Sequence, residues 1–393
     1  MEVRGLPEEK MSRKMLAQVP PMGWNSWNTF YDQYDAILIC NMADAMVQSG
    51  LAACGYEYLI IDDCWAKRER DAEGNLVPDP EKFPDGLKPV IDYVHAKGMK
   101  FGIYSCCGVR TCAGYPGSFE HEAQDAAFFA RLGVDYLKYD NCHRPSSQKS
   151  EMLYRRMSLA LRNSGRDILL AACQWGTEDV ERWIRSSGAH TYRSTVDIQD
   201  SWESVRSITE KRLAHLRDGG CGCYNDMDML IVGMNGKGFN PETNTEGAKG
   251  CTTEEYQTHF ALWAMLNSPL IIGCDIRSMN IEARRILTNK DLIAINQDPE
   301  GRTCYRLDCD CSPDAFTLVR PLSGGDYAAA IFNFGQKEVQ SGFMFWDMGL
   351  SCAAGQSMEL YDCLEHKTAG RYSECFSASV PGHGCRVFRC HIV

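Results

Sequence analysis

The chain has 393 residues, 44% hydrophobic and 24% charged, as expected for a soluble enzyme with one large and one small domain. Its formal net charge of −11 disfavours nucleic acids and anionic membranes as partners, because both bind basic surfaces. No apolar run is long enough to span a bilayer, and the polar start lacks a signal-peptide core, so we expect a cytoplasmic protein. The 20 cysteines match neither a small disulfide framework nor paired zinc motifs, and we expect mainly reduced thiols.

Short apolar runs alternate with helical segments through the first three quarters of the chain. Predicted strands cover 19–27, 57–65, 99–107, 136–142, 167–175, 190–197, 224–231 and 269–274. Predicted helices cover 35–53, 86–97, 119–132, 150–164, 178–187, 201–217, 254–266, 280–288 and 290–295. About eight such units predict a closed (β/α)8 TIM barrel, whose chemistry lies at the carboxyl ends of the strands. Polar residues gather at those ends: Asp62, Asp63, Tyr104, Asp140, Gln174, Asp197 and Asp228.

The pattern of apolar residues changes after the predicted barrel. Short alternating runs separated by turn residues predict a small C-terminal antiparallel β-sandwich domain. We therefore divide the chain into an N-terminal tail at 1–18, a catalytic barrel at 19–302 and a β domain at 303–393. Residues 232–251 are rich in glycine, asparagine and threonine, so we expect a long loop on the active-site side.

Asp140 ends the predicted fourth strand, and Lys138 lies on the same face because side chains alternate along a strand. Such a pair suits a nucleophile or an anchor for a polar substrate, and a structural ion pair is the alternative. With Asp197 on the same rim, two carboxylates are available for cleaving a glycosidic bond with retention. We expect Lys138 to keep Asp140 ionised, and the charge of Asp140 to raise the pKa of Asp197. Helix capping is the alternative for Asp197, although Asp200 and Ser201 are better placed for it.

Other polar and aromatic residues of the rim leave several interpretations open. Asp62 and Asp63 could hold sugar hydroxyls, or bind a divalent metal with Asp226 and Asp228, so a metal-dependent lyase or isomerase is an alternative. Arg193 offers a fork of donors to a ligand, with a surface salt bridge as the alternative. Aromatic rings at predicted strand ends either stack on a sugar or pack the rim: Trp24, Trp27, Tyr104, Trp175 and Tyr224.

Seven motifs are more specific than these patterns. They are PPMGWNSW at 20–27, IDDCWA at 61–66, FPDGLKPVIDYVHAKGMKFGIY at 83–104, TCAGYPGS at 111–118, VDYLKYDNC at 134–142, NDMDML at 225–230 and AINQDP at 294–299. On these motifs the chain resembles the α-galactosidases of glycoside hydrolase family 27, of the bacterial, melibiase-like type, over residues 19–300. The resemblance implies a retaining enzyme that releases terminal α-linked galactose by double displacement, without a metal or cofactor.

The resemblance also implies roles for individual residues. It makes Asp140 the nucleophile and Asp197 the acid/base. It implies substrate contacts from Trp27, Asp62, Asp63, Tyr104, Lys138, Cys142, Gln174, Trp175, Arg193 and Asp228. A disulfide between Cys112 and Cys142 is implied as well, whereas Cys64 lacks the first-loop partner found in many secreted members.

Gln174 bears on the choice of sugar. Related N-acetylgalactosaminidases carry small residues after the fifth strand, whereas the amide of Gln174 could bond a 2-hydroxyl and would clash with a 2-acetamido group. An α-galactosidase is therefore favoured, with an α-N-acetylgalactosaminidase or a β-L-arabinopyranosidase as alternatives. A carbohydrate-binding barrel without catalysis is disfavoured because both aspartates are present. The expected partner is a small carbohydrate, and the sequence leaves open whether copies of the chain assemble.

Overall fold

An eight-stranded parallel sheet forms the first part of the computed structural model, which describes residues 15–239, 249–308 and 312–393. Its strands are β1 (Met22–Asn25), β2 (Tyr58–Ile60), β3 (Lys100–Cys106), β4 (Tyr136–Asp140), β5 (Leu169–Cys173), β6 (Thr191–Arg193), β7 (Tyr224–Asp226) and β8 (Leu270–Ile272). They pair in the order β7-β6-β5-β4-β3-β2-β1-β8. Leu230, shortly after β7, forms a parallel bridge to Ile272 of β8, which closes the sheet. The predicted barrel is confirmed.

Helices follow the strands along the chain. They are α1 (Trp27–Phe30), α2 (Ala36–Gln48), α3 (Lys88–Ala96), α4 (Glu122–Leu132), α5 (Ser150–Asn163), α6 (Val180–Ser187), α7 (Trp202–Leu213), α8 (Thr253–Met265), α9 (Ile281–Leu287) and α10 (Lys290–Asn296). Side-chain caps fix several helix starts: Asp35 accepts from the Leu38 N–H, and Thr252 forms a reciprocal capping box with Glu255. Each predicted helix is present, and among the α-helices of the described residues α1 was not predicted. No described helix is both long and apolar enough to cross a membrane.

Both faces of the barrel strands are buried, which explains why the strands are continuous apolar runs in the sequence. Side chains inside the barrel pack against each other, among them Tyr58, Tyr136 and Ile271. The opposite strand faces bury residues such as Leu59 and Leu137 against the helices. A Cβ at Gly23 would lie 2.3 Å from the Tyr58 carbonyl oxygen, so only glycine allows β1 to approach β2 this closely. The strands therefore form a closely packed frame with their polar ends on one side.

The C-terminal domain is antiparallel. Its strands are β9 (Tyr305–Asp308), β10 (Ala315–Pro321), β11 (Tyr327–Asn333), β12 (Val339–Met344), β13 (Met358–Asp362), β14 (Lys367–Tyr372), β15 (Cys375–Val380) and β16 (Cys385–Ile392). Six of them form a sheet in the order β14-β13-β16-β11-β10-β9, and β12 pairs with β15 in a second sheet. A separate apolar core, including Phe343, Phe376 and Phe388, lies within this domain. The predicted β domain is confirmed.

His383 ties the two domains together. Its ring stacks on Trp202 of α7 with ring centroids 4.7 Å apart, and its Nδ1 lies 2.7 Å from a carboxylate oxygen of Glu255 in α8. The loop before β16 is thereby attached to the outside of the barrel.

Candidate active site

A cavity opens at the carboxyl ends of the barrel strands. It is lined by Trp27, Asn28, Asp62, Tyr104, Cys112, Lys138, Asp140, Cys173, Trp175, Arg193, Asp197, Asp228 and Met229. A second cavity deeper in the barrel shares Lys138, Cys173, Arg193, Asp228 and Met229 with it. Five of the seven polar residues that the sequence analysis placed at the strand ends line this cavity, whereas Asp63 and Gln174 do not.

Asp140 lies at the end of β4 and is fixed by two hydrogen bonds. Its Oδ1 accepts from the Asn141 N–H at 2.8 Å, and its Oδ2 accepts from the Tyr104 hydroxyl at 3.1 Å. Only 5% of the residue is exposed. Burial raises the pKa of Asp140 to about 7, although the charge of Lys138 and the Asn141 hydrogen bond oppose the rise.

Lys138 contacts a different carboxylate from the one expected. Its Nζ lies 2.7 Å from Oδ2 of Asp62, which also accepts from the Asn25 side-chain amide at 2.7 Å. The charge of Lys138 lowers the pKa of Asp140, as the prediction requires, but does not keep it in its usual range. Strand alternation puts Lys138 and Asp140 on one face, but the ammonium group pairs with Asp62 beyond β2, and its effect on Asp140 does not offset burial.

Asp197 lies on the loop after β6, and its side chain is 55% exposed. Its Oδ1 accepts from Nη2 of Arg193 at 2.8 Å. Burial would raise the pKa of Asp197, but the charge of Arg193 and this hydrogen bond outweigh burial and hold the pKa below its usual value. The expectation that Asp140 raises the pKa of Asp197 is corrected, because the neighbouring guanidinium is the stronger influence.

Arg193 is the centre of the network behind Asp197. It is 4% exposed, which rules out the alternative of a surface salt bridge. Its Nη1 lies 3.0 Å from Oδ1 of Asp228, and Oδ2 of Asp228 accepts from the Ile198 N–H at 2.7 Å. Asp228 therefore holds both the guanidinium that contacts Asp197 and the backbone that follows it.

Asp226 stabilises an unusual backbone conformation at Asp228. Asp228 has a φ of +78°, in the left-handed region that few side-chain-bearing residues adopt. Its N–H donates to Oδ1 of Asp226 at 2.8 Å. Burial raises the pKa of Asp226 to about 6, and Arg193 opposes the rise. The sequence offered Asp226 only as a metal ligand, whereas the structure makes it a support for Asp228.

The aspartates proposed as an alternative metal site are separated by cations. Asp62 pairs with Lys138, and Asp228 pairs with Arg193. Asp63 instead accepts from the backbone N–H groups of Cys64 at 2.8 Å and Ala113 at 3.0 Å. In the described part of the chain, these carboxylates do not form a group with metal-ligand spacing. This arrangement argues against a four-aspartate metal centre. Asp63 instead holds the loop that carries Cys112, through its hydrogen bond from the Ala113 N–H.

Gln174 does not line the cavity, contrary to the expectation that it faces the sugar. It is fully buried, and its amide turns back on its own loop: Nε2 donates to the Thr177 hydroxyl at 2.6 Å, and Oε1 accepts from the Thr177 N–H at 2.8 Å. The reason is a tight turn in which Trp175 and Gly176 both have positive φ. A Cβ at Gly176 would lie 2.1 Å from the Ser194 carbonyl oxygen, so this turn packs against the Asp197 loop.

The aromatic and sulfur-containing candidates divide between the cavity and its surroundings. Trp27, Tyr104 and Trp175 line the cavity. Trp24 and Tyr224 are buried elsewhere, where their polar atoms donate to the carbonyl oxygens of Cys274 and Gln18. Cys142 is buried and does not line the cavity, but it is joined by a disulfide to Cys112, which does. Cys64 is a free, buried thiol.

Some lining residues were not predicted. Asn28 directly follows the PPMGWNSW motif, and Cys173 ends β5 next to Gln174. Strand alternation at the end of β5 could have identified Cys173 as the inward-facing residue. Met229 follows Asp228 and had no comparable signal.

The long loop at 232–251 is held at both ends by Asp200. Oδ2 of Asp200 accepts from the Gly236 N–H at 2.7 Å, and Oδ1 accepts from the Cys251 N–H at 3.3 Å and the Tyr256 hydroxyl at 2.8 Å. Residues 240–248 of this loop lie outside the described residues. Ser201, and not Asp200, caps α7.

Comparison with known proteins identifies the family. Residues 19–298 match the model "Alpha galactosidase A", and residues 314–390 match the model "Alpha galactosidase C-terminal beta sandwich domain". An α-galactosidase of Cyamopsis tetragonoloba is 41% identical over 95% of this chain and 86% of the relative. An α-galactosidase of Coffea arabica is 42% identical over 97% of each chain.

A solved structure gives the same result. The crystal structure of α-galactosidase I from Mortierella vinacea superposes with a TM-score of 0.88 at 32% identity, over 96% of this chain and 98% of that one. These findings confirm the resemblance to glycoside hydrolase family 27 and the prediction of an α-galactosidase-type hydrolase. The chain belongs to the α-galactosidase family.

Proposed function

We propose that this protein hydrolyses terminal α-linked galactosides with retention of configuration, using Asp140 as the nucleophile and Asp197 as the acid/base. The observation that carries the proposal is the contrast between the two carboxylates that share the cavity. Asp140 is buried and anchored, whereas Asp197 is half-exposed on a loop. A retaining glycosidase needs such a fixed nucleophile together with an acid that can reach the departing group.

Two displacements follow from this arrangement. In the first, Asp140 attacks the anomeric carbon while Asp197 gives its proton to the leaving oxygen, which forms a β-linked galactosyl-enzyme. In the second, Asp197 takes a proton from water, which attacks the same carbon and releases α-galactose. The Tyr104 hydroxyl and the Asn141 N–H, which bond the Asp140 carboxylate, hold its oxygens in position during both steps.

The sugar is recognised by the remaining polar groups of the cavity. Lys138 and Asp62 present a paired ammonium and carboxylate to hydroxyl groups, and Trp27 offers an aromatic face to the apolar side of a pyranose. Because the Gln174 side chain is turned away from the cavity, Cys173 at the end of β5 and Trp175 in the following loop are the residues of this segment that line the cavity near the sugar ring. The preference for galactose is supported by the two plant relatives, both named α-galactosidases.

Parallel assays of three nitrophenyl substrates test this function. We expect kcat/KM to be highest for the α-galactoside, lower for the β-L-arabinopyranoside and lowest for the α-N-acetylgalactosaminide. NMR of the first-formed sugar should show α-galactose before mutarotation. A preference for the N-acetylgalactosaminide would overturn the assignment of the sugar, and β-galactose as the first product would overturn the retaining mechanism.

The pH dependence of kcat/KM should be bell-shaped with a basic limb near pH 7. The active dyad carries one proton in total, because Asp140 must be ionised while Asp197 is protonated. Above the raised pKa of about 7 both carboxylates are ionised and no acid is left. Below the lowered pKa of Asp197 both are protonated and no nucleophile is left.

The two apparent pKa values of the pH profile belong to the pair of carboxylates, and a stopped assay from about pH 3 to 9 measures them. A rate that still rises above about pH 8 would contradict this account.

We further propose a cytoplasmic location and mainly reduced thiols. The support is the number of unpaired sulfurs: sixteen described cysteines are free, and most of them are buried. Titration of anaerobically purified, denatured protein should find most of the 20 cysteines of the chain as free thiols. Nearly complete oxidation in that titration would exclude the reduced state and remove the support for this location.

A further inference from the structure

Two sulfur atoms and one carboxylate come together beside the cavity. Suitable ligand atoms of Cys112, Asp140 and Cys142 all lie within 4.8 Å of one another. Cys112 is exposed at the cavity, whereas Asp140 and Cys142 are buried. In the described part of the chain, no other group of three such residues has metal-ligand spacing.

The spacing suits a soft divalent cation once the disulfide is open. In tetrahedral zinc sites, bond lengths of about 2.3 Å to sulfur and about 2.1 Å to oxygen place the ligand atoms about 3.6–3.8 Å apart. Sγ of Cys112 already lies 3.9 Å from Oδ2 of Asp140. The two sulfurs, bonded to each other in the disulfide, would separate to a similar distance on reduction.

We propose that reduction of the Cys112–Cys142 disulfide creates a binding site for a soft divalent cation such as Zn²⁺, formed by the two thiolates and the Asp140 carboxylate. The consequence for activity depends on the function proposed above: a cation bound to Asp140 blocks the nucleophile. The closed disulfide therefore protects the active site from such cations, and the open pair makes it sensitive to them.

A dithiol reductant gives up two electrons and two protons, so that its own sulfurs form a disulfide while Cys112 and Cys142 become two thiols. Binding of the cation then displaces both thiol protons, and the bound ion is held by two thiolates and one carboxylate. Thiolate ligands favour Zn²⁺ over Mg²⁺, which prefers oxygen ligands.

Two neighbouring thiols do not compete for the ion. The Cys106 thiol donates to the Cys142 carbonyl oxygen at 2.9 Å, and the Cys107 thiol donates to Oδ1 of Asn141 at 3.3 Å. Cys112 is the member of the cluster that solvent and a reductant can reach.

Cobalt(II) is the spectroscopic probe for this site. Purified enzyme is reduced, freed of reductant under nitrogen and titrated with Co²⁺ beside the untreated, disulfide-containing enzyme. We expect thiolate-to-cobalt absorption for one ion per chain in the reduced enzyme only, and Zn²⁺ should displace the cobalt. Asp140→Ala should weaken cobalt binding by about tenfold or more, because one of three protein ligands is lost.

Variants separate this site from the other thiols. A Cys112→Ser/Cys142→Ser enzyme should lose the absorption, and if that variant does not fold, the oxidised wild type serves as the matched reference. Cys375→Ser removes an exposed thiol of the C-terminal domain and should change nothing. Equal absorption in oxidised and reduced enzyme, or none in the reduced enzyme, overturns the proposal.

Activity measurements distinguish this proposal from the proposed function. Zn²⁺ should inhibit α-galactoside hydrolysis by the reduced enzyme, a chelator should restore it, and the oxidised enzyme should be insensitive. Mg²⁺ should have no effect on either form. If cobalt binding depends on Asp140 but turnover continues with the ion bound, the metal site stands and the role of Asp140 as nucleophile is wrong.

Discussion

Replacing Asp140 with alanine is expected to lower kcat for α-galactosides by about 10⁴-fold or more, since no other group can form the galactosyl-enzyme. The side chain lies at the end of β4 and accepts hydrogen bonds from the Tyr104 hydroxyl and the Asn141 N–H, both of which can bond water in its absence, so the barrel should tolerate its loss. The truncation leaves space where a small anion can bind beside the anomeric carbon. Azide should therefore restore turnover of a dinitrophenyl α-galactoside.

The product of that rescue identifies the role of the missing group. Azide that replaces the nucleophile attacks from the face opposite the leaving group, so a single inversion gives β-galactosyl azide. The same azide concentration should not accelerate the wild-type enzyme. A variant that keeps a tenth or more of the normal kcat, or a rescued product of α configuration, would show that Asp140 is not the nucleophile.

Much of the barrel could be predicted because its signals are local. Tyr136, Leu137 and Tyr139 are buried apolar or aromatic residues of β4, and the charged Lys138 and Asp140 alternate with them toward the end of the strand. The turns and caps around it are also encoded nearby, such as Asp35 at the start of α2. Alternation along β4 likewise predicts that Lys138 and Asp140 lie on the same face of the strand.

Contacts between distant segments could not be predicted in this way. Lys138 lies 76 residues from Asp62 in sequence, and their ion pair depends on how far β2 and β4 extend relative to each other. The prediction that Gln174 faces the sugar was wrong for a local reason that the strand pattern does not reveal. Its amide is used by the turn to Thr177, whose N–H and hydroxyl would otherwise lack these partners.

Electrostatics was the least predictable property of the site. Residue spacing shows which charges are near in sequence, but the pKa of Asp140 is set mainly by burial. The pKa of Asp197 depends on Arg193, whose position is fixed in turn by Asp228. Such a chain of contacts exists only in the folded protein, even though the resemblance to the family names Arg193, Asp197 and Asp228 individually.

Replacing Asp197 with alanine is expected to give an effect that depends on the leaving group. An α-galactosyl disaccharide needs its leaving oxygen protonated, so its kcat/KM should fall by about 10²–10⁴-fold. Dinitrophenolate leaves without protonation, so formation of the galactosyl-enzyme from the dinitrophenyl α-galactoside should stay close to the wild-type rate. Hydrolysis of that intermediate lacks its base, which predicts a burst of dinitrophenol followed by slow turnover.

Azide should accelerate this slow phase, because an anionic nucleophile needs no base. It attacks the intermediate after Asp140 has already inverted the anomeric carbon, so the product should be α-galactosyl azide, opposite to the product of Asp140→Ala. Asp179→Asn is the matched control, because it removes an exposed carboxylate from the loop after β5 that does not line the cavity. That variant should behave as the wild type with both substrates. If Asp197→Ala slows the disaccharide and the dinitrophenyl galactoside equally in the burst phase, Asp197 is not the general acid and its pairing with Arg193 serves only to shape the pocket.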